Sequence, residues 1–293
     1  MRSLILKKST WLPYLMLSPV LFILGAFFIG GILLAFLQSL GYFPIIGLEK
    51  FTLIYYKEVI TSPDFMAALG HSFYICVVST LISTVIGVYL AYYIAGLSHK
   101  NKGIDFLYKI PIAVPHIVAA LMIVFMVSQG GIIARLVMKM GFISEPNQFP
   151  SLIYSKNAIG IILIYIWKEV PFITLMVYTV MANIQKNLGE VALTLGASKR
   201  QVFYHVILPL STPAIMSASV IVFAYSFGAF EIPYLLGATY PRTLPVWAYL
   251  NYISPDLTNR PIAMVISMII TVLAIIMVWL YTASLKKLVR YKL

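Results

Sequence analysis

Long stretches without a charged residue constrain the fold of this chain more than any other feature. A helix that spans a bilayer needs about 20 mostly apolar residues, and a charge inside it is costly. Five stretches that contain no Asp, Glu, Lys or Arg are at least this long: 9–48, 65–99, 110–134, 201–230 and 261–285. A sixth apolar segment, about 158–182, is interrupted only by Lys168 and Glu169. The sequence therefore predicts an all-α polytopic membrane protein with six transmembrane helices.

The composition supports a membrane protein. Charged residues make up 10% of the 293 residues and hydrophobic residues 61%, whereas a soluble domain has about a quarter charged residues. The formal charge of +12 would suggest nucleic acid as a partner of a soluble protein. In a membrane protein, basic loops on the cytoplasmic side explain it better. We expect the lipid bilayer, and no nucleic acid, as the environment of this chain.

The distribution of basic residues predicts the orientation. Thirteen of them lie before the first span, in alternate loops and after the last span, whereas seven lie in the remaining, longer loops. By the positive-inside rule both termini are expected to be cytoplasmic. The apolar stretch 11–37 is too long for the core of a signal peptide, so we expect it to be retained as a helix.

These spans predict the domain organisation. Residues 1–64 are expected to form the first transmembrane helix and an external loop, residues 65–285 a transmembrane domain, and residues 286–293 a basic cytoplasmic tail. The helices of the transmembrane domain are expected at about 68–97, 108–128, 158–182, 206–229 and 262–284.

The stretch between the fourth and fifth spans predicts two short helices that meet at a glycine. Asn187 and Glu190 have the spacing of a capping box, and Gly196 is a natural helix stop, so a helix is predicted over 188–195. Ser198 and Gln201 repeat the capping pattern and start a second helix.

The apolar face of the first short helix must pack on something, because a helix of about eight residues is not stable alone in water. Two interpretations stay open at this point. The face packs either on the ends of the protein's own helices or on a soluble partner. The face consists of Leu188, Val191, Ala192 and Leu195.

This stretch resembles the cytoplasmic signature of binding-protein-dependent ABC importer permeases. That signature reads E-A-A, three residues, G, nine residues, I-x-L-P. The matching positions here are Glu190, Val191, Ala192, Gly196, Val206, Leu208 and Pro209. Val191 and Val206 depart mildly from the pattern, and the similarity extends over roughly Phe65 to the C-terminus.

The resemblance implies a subunit of a type I importer. Two permease subunits, identical or related, would form the pathway, with two ATPase subunits below and an extracytoplasmic solute-binding protein outside. The short helix would be the coupling helix, with Glu190 and Gly196 at its contacts with the ATPase. Lys199 and Arg200 either pair with acidic ATPase residues or are solvated. The implied location is the bacterial cytoplasmic (inner) membrane.

Sequence motifs give no reason to expect catalysis by this chain. The motif G-x-x-x-x-G-K-[ST] is absent, so ATP and Mg²⁺ would bind to the partner ATPase. The four histidines are scattered without metal-ligand spacing, and no nucleophile motif occurs. We therefore expect no catalytic residue, no metal site and no cofactor in this chain.

Two places in the sequence are candidates for the solute pathway. Lys168 and Glu169 lie near the middle of the fourth span, where ionisable groups normally face a bundle interior or a water-filled cavity. Being adjacent, they point about 100° apart on a helix and do not face each other. Glu169 either lines the pathway or has a buried structural partner. Glu231, the first charge after the fifth span, and Tyr234 are expected near the outer mouth.

The solute is the least constrained part of the prediction. The stretches LGAS and FEIPYLLG resemble the polyamine, phosphonate, ferric-iron and sulfate branch of these permeases more than the sugar branch. Glu169 and Glu231 would suit a cationic solute such as a polyamine. The alternative class is an ion-gradient-driven secondary transporter, although the inverted repeats typical of many such proteins are not evident.

Overall fold

The computed structural model describes residues 2–96 and 102–290, and side chains at 11–96, 103 and 106–283. These residues form helices joined by short turns and loops. The α-helices are α1 (Arg2–Ser39), α2 (Ile54–Thr61), α3 (Pro63–Gly96), α4 (Lys102–Leu107), α5 (Ile110–Ala113), α6 (His116–Val127), α7 (Ile132–Lys139), α8 (Ile159–Ile184), α9 (Glu190–Thr194), α10 (Lys199–Val202), α11 (Leu208–Gly228), α12 (Glu231–Leu236), α13 (Leu244–Tyr252) and α14 (Arg260–Arg290).

The prediction of six transmembrane helices is confirmed. Six helical segments of the described chain are long and apolar enough to cross a membrane. They are Trp11–Ser39, Pro63–Gly96, His116–Lys139, Ile159–Thr194, Lys199–Gly228 and Leu257–Ala283.

The chain divides into two compact units. The first comprises Met1–Thr61 and Leu250–Ile269. Within it, the Ser39 hydroxyl lies 2.9 Å from the Tyr56 hydroxyl, and the Thr52 N–H donates to the Leu40 carbonyl at 2.7 Å. These bonds fold the loop after α1 back towards the end of that helix. Large apolar side chains along α1 are exposed, as is expected of a helix that lies in a bilayer.

The second unit, Ser62–Tyr249 with Ile270–Leu293, is built on close packing of α3 against α8. Gly87 permits this approach, because a Cβ there would come within 2.9 Å of Ile173 Cγ2. The Thr174 hydroxyl crosses the contact and donates to the Gly87 carbonyl at 3.3 Å. Helix α11 packs against both α3 and α8, which completes a three-helix core.

The predicted continuous helix over 108–128 is wrong. Helix α5 ends at Ala113, Val114 is extended, and α6 begins at His116. The break has a direct cause, since Pro115 has no N–H to donate to the carbonyl of Pro111 and disfavours a helical conformation at Val114. The third span therefore contains a bend that the apolar pattern does not reveal.

The predicted start of the short helix at Asn187 is also wrong. Helix α8 continues through a π-helical turn, Gln185–Gly189, directly into α9, so Asn187 lies inside a helix and caps nothing. Ile184 and Ala192 pack against the same core cluster on either side of this turn. Tertiary packing thus keeps the backbone helical where the local capping pattern favours an end.

Two further predicted boundaries lie partly outside the described residues. Helix α3 is described to Gly96, and residue 97, the expected end of that helix, is outside. Helix α14 continues to Arg290, over most of the predicted basic tail, and residues 291–293 are outside the described range.

Candidate functional site

The first candidate site is the junction segment, residues 188–209, which runs from the end of the fourth span into the start of the fifth. Helix α9 ends in a Schellman motif: the Ala197 N–H donates to the Ala192 carbonyl and the Gly196 N–H to the Leu193 carbonyl, both at 3.0 Å. Gly196 has φ +90°, which glycine adopts without strain. The predicted stop at Gly196 is confirmed.

A capping box starts the next helix two residues later. The Gln201 N–H donates to the Ser198 hydroxyl at 3.3 Å, and the Ser198 N–H donates to Gln201 Oε1 at 2.8 Å. The predicted S-x-x-Q box is therefore present. A capped end followed at once by a capped start fixes both the angle and the length of the turn.

The outer surface of the junction segment is a stripe of exposed apolar side chains. Leu195 is 83% exposed, Val191 55% and Leu188 49%. Glu190 is exposed beside them, and a Cβ on Gly196 would meet no atom within 4 Å. The apolar face was expected to pack either on the protein's own helices or on a soluble partner. Of its four residues, only Ala192 packs against the protein's own core.

The inner surface of the segment is fixed to the helix bundle by aromatic residues. The buried Phe203 ring lies 4.4 Å from Tyr92 and 5.6 Å from Tyr89, centroid to centroid, and both tyrosines are on α3. The Tyr89 and Tyr204 hydroxyls are 3.1 Å apart. Packed aromatic side chains therefore connect this part of the segment to α3.

The basic residues of the segment are at the surface. Lys199 and Arg200 are exposed, and the Arg200 guanidinium lies 5.9 Å from the Tyr204 ring centroid. Leu208 and Pro209, the last positions of the signature, are half-buried in the first turn of α11, where Leu208 packs against the core. They belong to the base of the segment rather than to its exposed surface.

The second candidate site surrounds Glu169 in the middle of the bundle. Its side chain is 5% exposed and accepts hydrogen bonds from Ser83 at 2.9 Å and from Ser226 at 2.5 Å. Ser83 lies on α3 and Ser226 on α11, so one carboxylate joins three helices. Glu169 thus has the buried structural partners that one interpretation expected, and it is also among the residues that line a cavity. Its place in the solute pathway stays a prediction.

Lys168 performs a different task from its neighbour. Its ammonium group donates to the carbonyls of Pro111 at 2.7 Å and Val114 at 2.5 Å. The Pro111 carbonyl is the one that Pro115 leaves without a helical donor. Lys168 thus satisfies the backbone at the break in the third span, and as predicted it does not pair with Glu169.

The cavity beside these residues has a volume of about 230 Å³. We call it the inner cavity. Its wall combines two charged side chains, a histidine and a tyrosine with apolar residues. It is lined by Ile112, His116, Lys168, Glu169, Phe172, Ile221, Val222 and Tyr225.

A second cavity, of about 220 Å³, lies at the end of α11 and contains Glu231. We call it the outer cavity. Glu231 is exposed at the first turn of α12, and Phe230 beside it stacks on Tyr249 at 4.8 Å. Tyr234 does not line this cavity, and its ring packs edge-on against Tyr249 at 5.2 Å.

Four polar side chains of these sites were not predicted from the sequence: Ser83, Ser226, His116 and Tyr225. Ser83 and Ser226 are small polar residues inside apolar helices, which have no local signature. His116 follows Pro115 directly, and Tyr225 precedes Ser226. Pro115 signals a break in the helix, but only the contact of α11 with α6 shows that Tyr225 lies opposite His116.

Comparison with known proteins places these features in a family. Residues 83–290 match the family described as binding-protein-dependent transport system inner membrane component. The spermidine/putrescine transport system permease protein PotB of Escherichia coli (strain K12) is 27% identical over 228 residues, which cover 78% of this chain and 77% of PotB. A probable molybdenum ABC transporter permease protein of Haloferax volcanii is 26% identical over 209 residues, 71% of this chain and 72% of that protein.

Solved structures show the same fold. A bacterial ABC transporter involved in the import of the acidic polysaccharide alginate aligns with a TM-score of 0.80 and 18% identity, covering 98% of this chain and 99% of that chain. The MetNI methionine ABC transporter, in an inward-facing conformation, aligns with a TM-score of 0.54 and 20% identity over 79% of this chain.

The family match covers most of the chain and includes both candidate sites, and six helices of the described residues are long and apolar enough to cross a membrane. The chain therefore belongs to the family of binding-protein-dependent transport system inner membrane components, and it is a multi-pass inner-membrane permease subunit of an ABC importer.

Proposed function

We propose that the junction segment is the element through which a separate ATPase subunit drives this permease. The observation that carries the proposal is the exposed stripe of Leu188, Val191 and Leu195 on a turn whose ends are both capped. Apolar side chains that protrude from a rigid element gain free energy when a partner covers them. Glu190, Lys199 and Arg200 supply charges around the stripe.

A movement of the docked ATPase, driven by ATP, would then be passed to the pathway through one continuous helical segment. Helix α9 is joined without a break to α8, and α8 carries Lys168 and Glu169. Movement of the docked segment would displace these residues relative to α3 and α11. ATP and Mg²⁺ are held by the partner, since this sequence contains no phosphate-binding loop.

The assembly that fits this role contains two ATPase subunits, a second permease subunit, identical or related, and an extracytoplasmic solute-binding protein. The excess of basic residues on the side of the junction segment supports a cytoplasmic position for that segment and for both termini. The solute route in this chain passes Glu231 and Tyr234 near the outer mouth and Lys168 and Glu169 in the middle of the bundle.

We propose a small cationic solute such as a polyamine as the first candidate, and another small charged solute, such as a phosphonate, as the second. The Lys168 charge is satisfied by two backbone carbonyls, whereas Glu231 is exposed in the outer cavity. A carboxylate lowers the cost of taking an ammonium group out of water. The similarity to a spermidine/putrescine permease supports the same class.

Two substitutions in the junction segment test the docking role. Glu190→Ala removes an exposed charge, and Gly196→Asp places a side chain at φ +90°, where a Cβ is unfavourable by roughly 1–2 kcal/mol. We expect both to reduce co-purification of the ATPase while membrane insertion is unchanged. Normal ATPase recovery and normal transport in both variants would contradict the assignment.

A further inference from the structure

The inner and outer cavities share one side chain. Tyr225 lines both, and it is the only residue common to the two linings among the described residues. Ile221, Tyr225 and Gly228 succeed one another along one face of α11, because residues spaced by three or four lie on the same side of a helix. The cavities therefore adjoin along that face at Tyr225, whose side chain is 47% exposed.

A hydrogen bond holds this ring against the opposite helix. The Tyr225 hydroxyl lies 2.9 Å from His116 Nε2, and the two ring centroids are 5.4 Å apart. His116 is the first residue of α6 and lines the inner cavity. The pair thus joins α6 to α11 at the level where one cavity ends and the next begins.

Lys168 binds the backbone that leads into His116. Its ammonium group binds the carbonyls of Pro111 and Val114, which lie just before the residue where α6 starts. This ties the break in the third span to α8. The backbone just before the histidine is consequently bonded to α8, the same helix that continues into the junction segment.

We propose that Tyr225 and His116 form a closed partition between the outer and inner cavities, which opens when α6 and α11 separate. Its place in the solute route rests on the proposed function. In the closed state, a solute beside Glu231 is separated from Glu169 by the two rings. Opening requires the loss of one hydrogen bond and of the ring contact, and one net hydrogen bond corresponds to about a fivefold shift in an equilibrium.

Thiol accessibility tests the partition without reference to transport. Cys76 is the single cysteine and is buried, so a Cys76→Ala background is suitable for reporter cysteines. Ile221→Cys reports on the inner cavity. Gly228→Cys reports on the outer cavity, where a Cβ meets no atom within 4 Å. The assembled, nucleotide-free importer in vesicles is exposed to a charged, membrane-impermeant maleimide from the outer side, and each labelling rate is measured.

Two variants remove the hydrogen bond and keep both rings: Tyr225→Phe and His116→Phe. Loss of one net hydrogen bond shifts an opening equilibrium about fivefold, so each should accelerate labelling of Ile221→Cys about fivefold. The double variant should show no further acceleration, because both changes remove the same interaction. Tyr74→Phe, which removes a tyrosine hydroxyl that donates to the Asn157 carbonyl elsewhere in the unit, is the matched control.

The outcomes separate the partition from the proposed route. Equal labelling of Ile221→Cys and Gly228→Cys without further substitution, or rates unaffected by both Phe variants, would overturn the partition. An unchanged Gly228→Cys rate and intact assembly in each variant would exclude misfolding as the cause of faster labelling. Faster labelling of Ile221→Cys in the Phe variants, together with unchanged solute uptake, would support the partition and contradict the proposed solute route.

Discussion

The exposure of Leu195 leads to a quantitative prediction for ATPase binding. The side chain is 83% exposed, so nearly all of its apolar surface is available for burial by a partner. Leu195→Ala removes about three carbon groups, each contributing roughly 0.8 kcal/mol when buried. The expected loss is about 2 kcal/mol of binding free energy, or roughly a 30-fold increase in the dissociation constant.

The same substitution should leave the isolated permease intact. An exposed side chain contributes little to folding, and surface substitutions usually change stability by less than about 0.5 kcal/mol. The unfolding temperature in detergent is therefore expected to be unchanged. Binding of the ATPase subunit of the same transport system is measured on permease in lipid nanodiscs by interferometry.

Met140→Ala is the matched control. Met140 is 69% exposed and lies in the connection between α7 and α8. This connection leads to the first residue of α8, whereas the junction segment follows the other end of that helix. It should leave the dissociation constant unchanged. Equal affinities for Leu195→Ala, Met140→Ala and the unmodified chain would refute the inference that the exposed stripe is the docking surface.

Further predictions concern the bundle and the turn. Glu169→Gln keeps one acceptor oxygen for Ser83 or Ser226 but removes the charge. Uptake of a cationic solute should therefore fall while the yield of the assembled complex stays constant. Unchanged uptake would mean that Glu169 has a purely structural role. Lys168→Met leaves the Pro111 and Val114 carbonyls without the ammonium donor. The free energy of unfolding in detergent should therefore fall by about 1–3 kcal/mol. An unaltered melting curve would contradict this expectation. Ser198→Ala removes the N-cap of α10 and should destabilise the turn by about 1 kcal/mol, measured by hydrogen exchange, whereas Ser198→Thr should retain most of the protection.

Apolar length and local turn chemistry predict much of this fold. The transmembrane helices can be predicted from long apolar stretches, because a helix must have a minimum length to cross a bilayer. The stop at Gly196 and the box at Ser198 and Gln201 follow from hydrogen bonds within a few residues, which the sequence encodes directly.

The errors arise where distant residues decide the local structure. The Asn187 box is absent because the core on either side of it keeps the chain helical through a π-turn. The break at Pro115 is stabilised by Lys168, 53 residues later in the chain, and no local pattern joins the two. The sequence indicates that Lys168 and Glu169 need partners, but their partners are backbone carbonyls and serines, which carry no distinctive signal.

Coupling of this permease to a separate ATPase is tested most directly by co-purification of the tagged permease with its ATPase and second permease. An ATPase assay with the loaded solute-binding protein follows. We expect a stoichiometric ATPase whose turnover rises with loaded binding protein, and we expect Gly196→Asp to lose both at unchanged membrane yield. An absence of bound ATPase, together with solute flux into vesicles driven by an ion gradient alone, would contradict it.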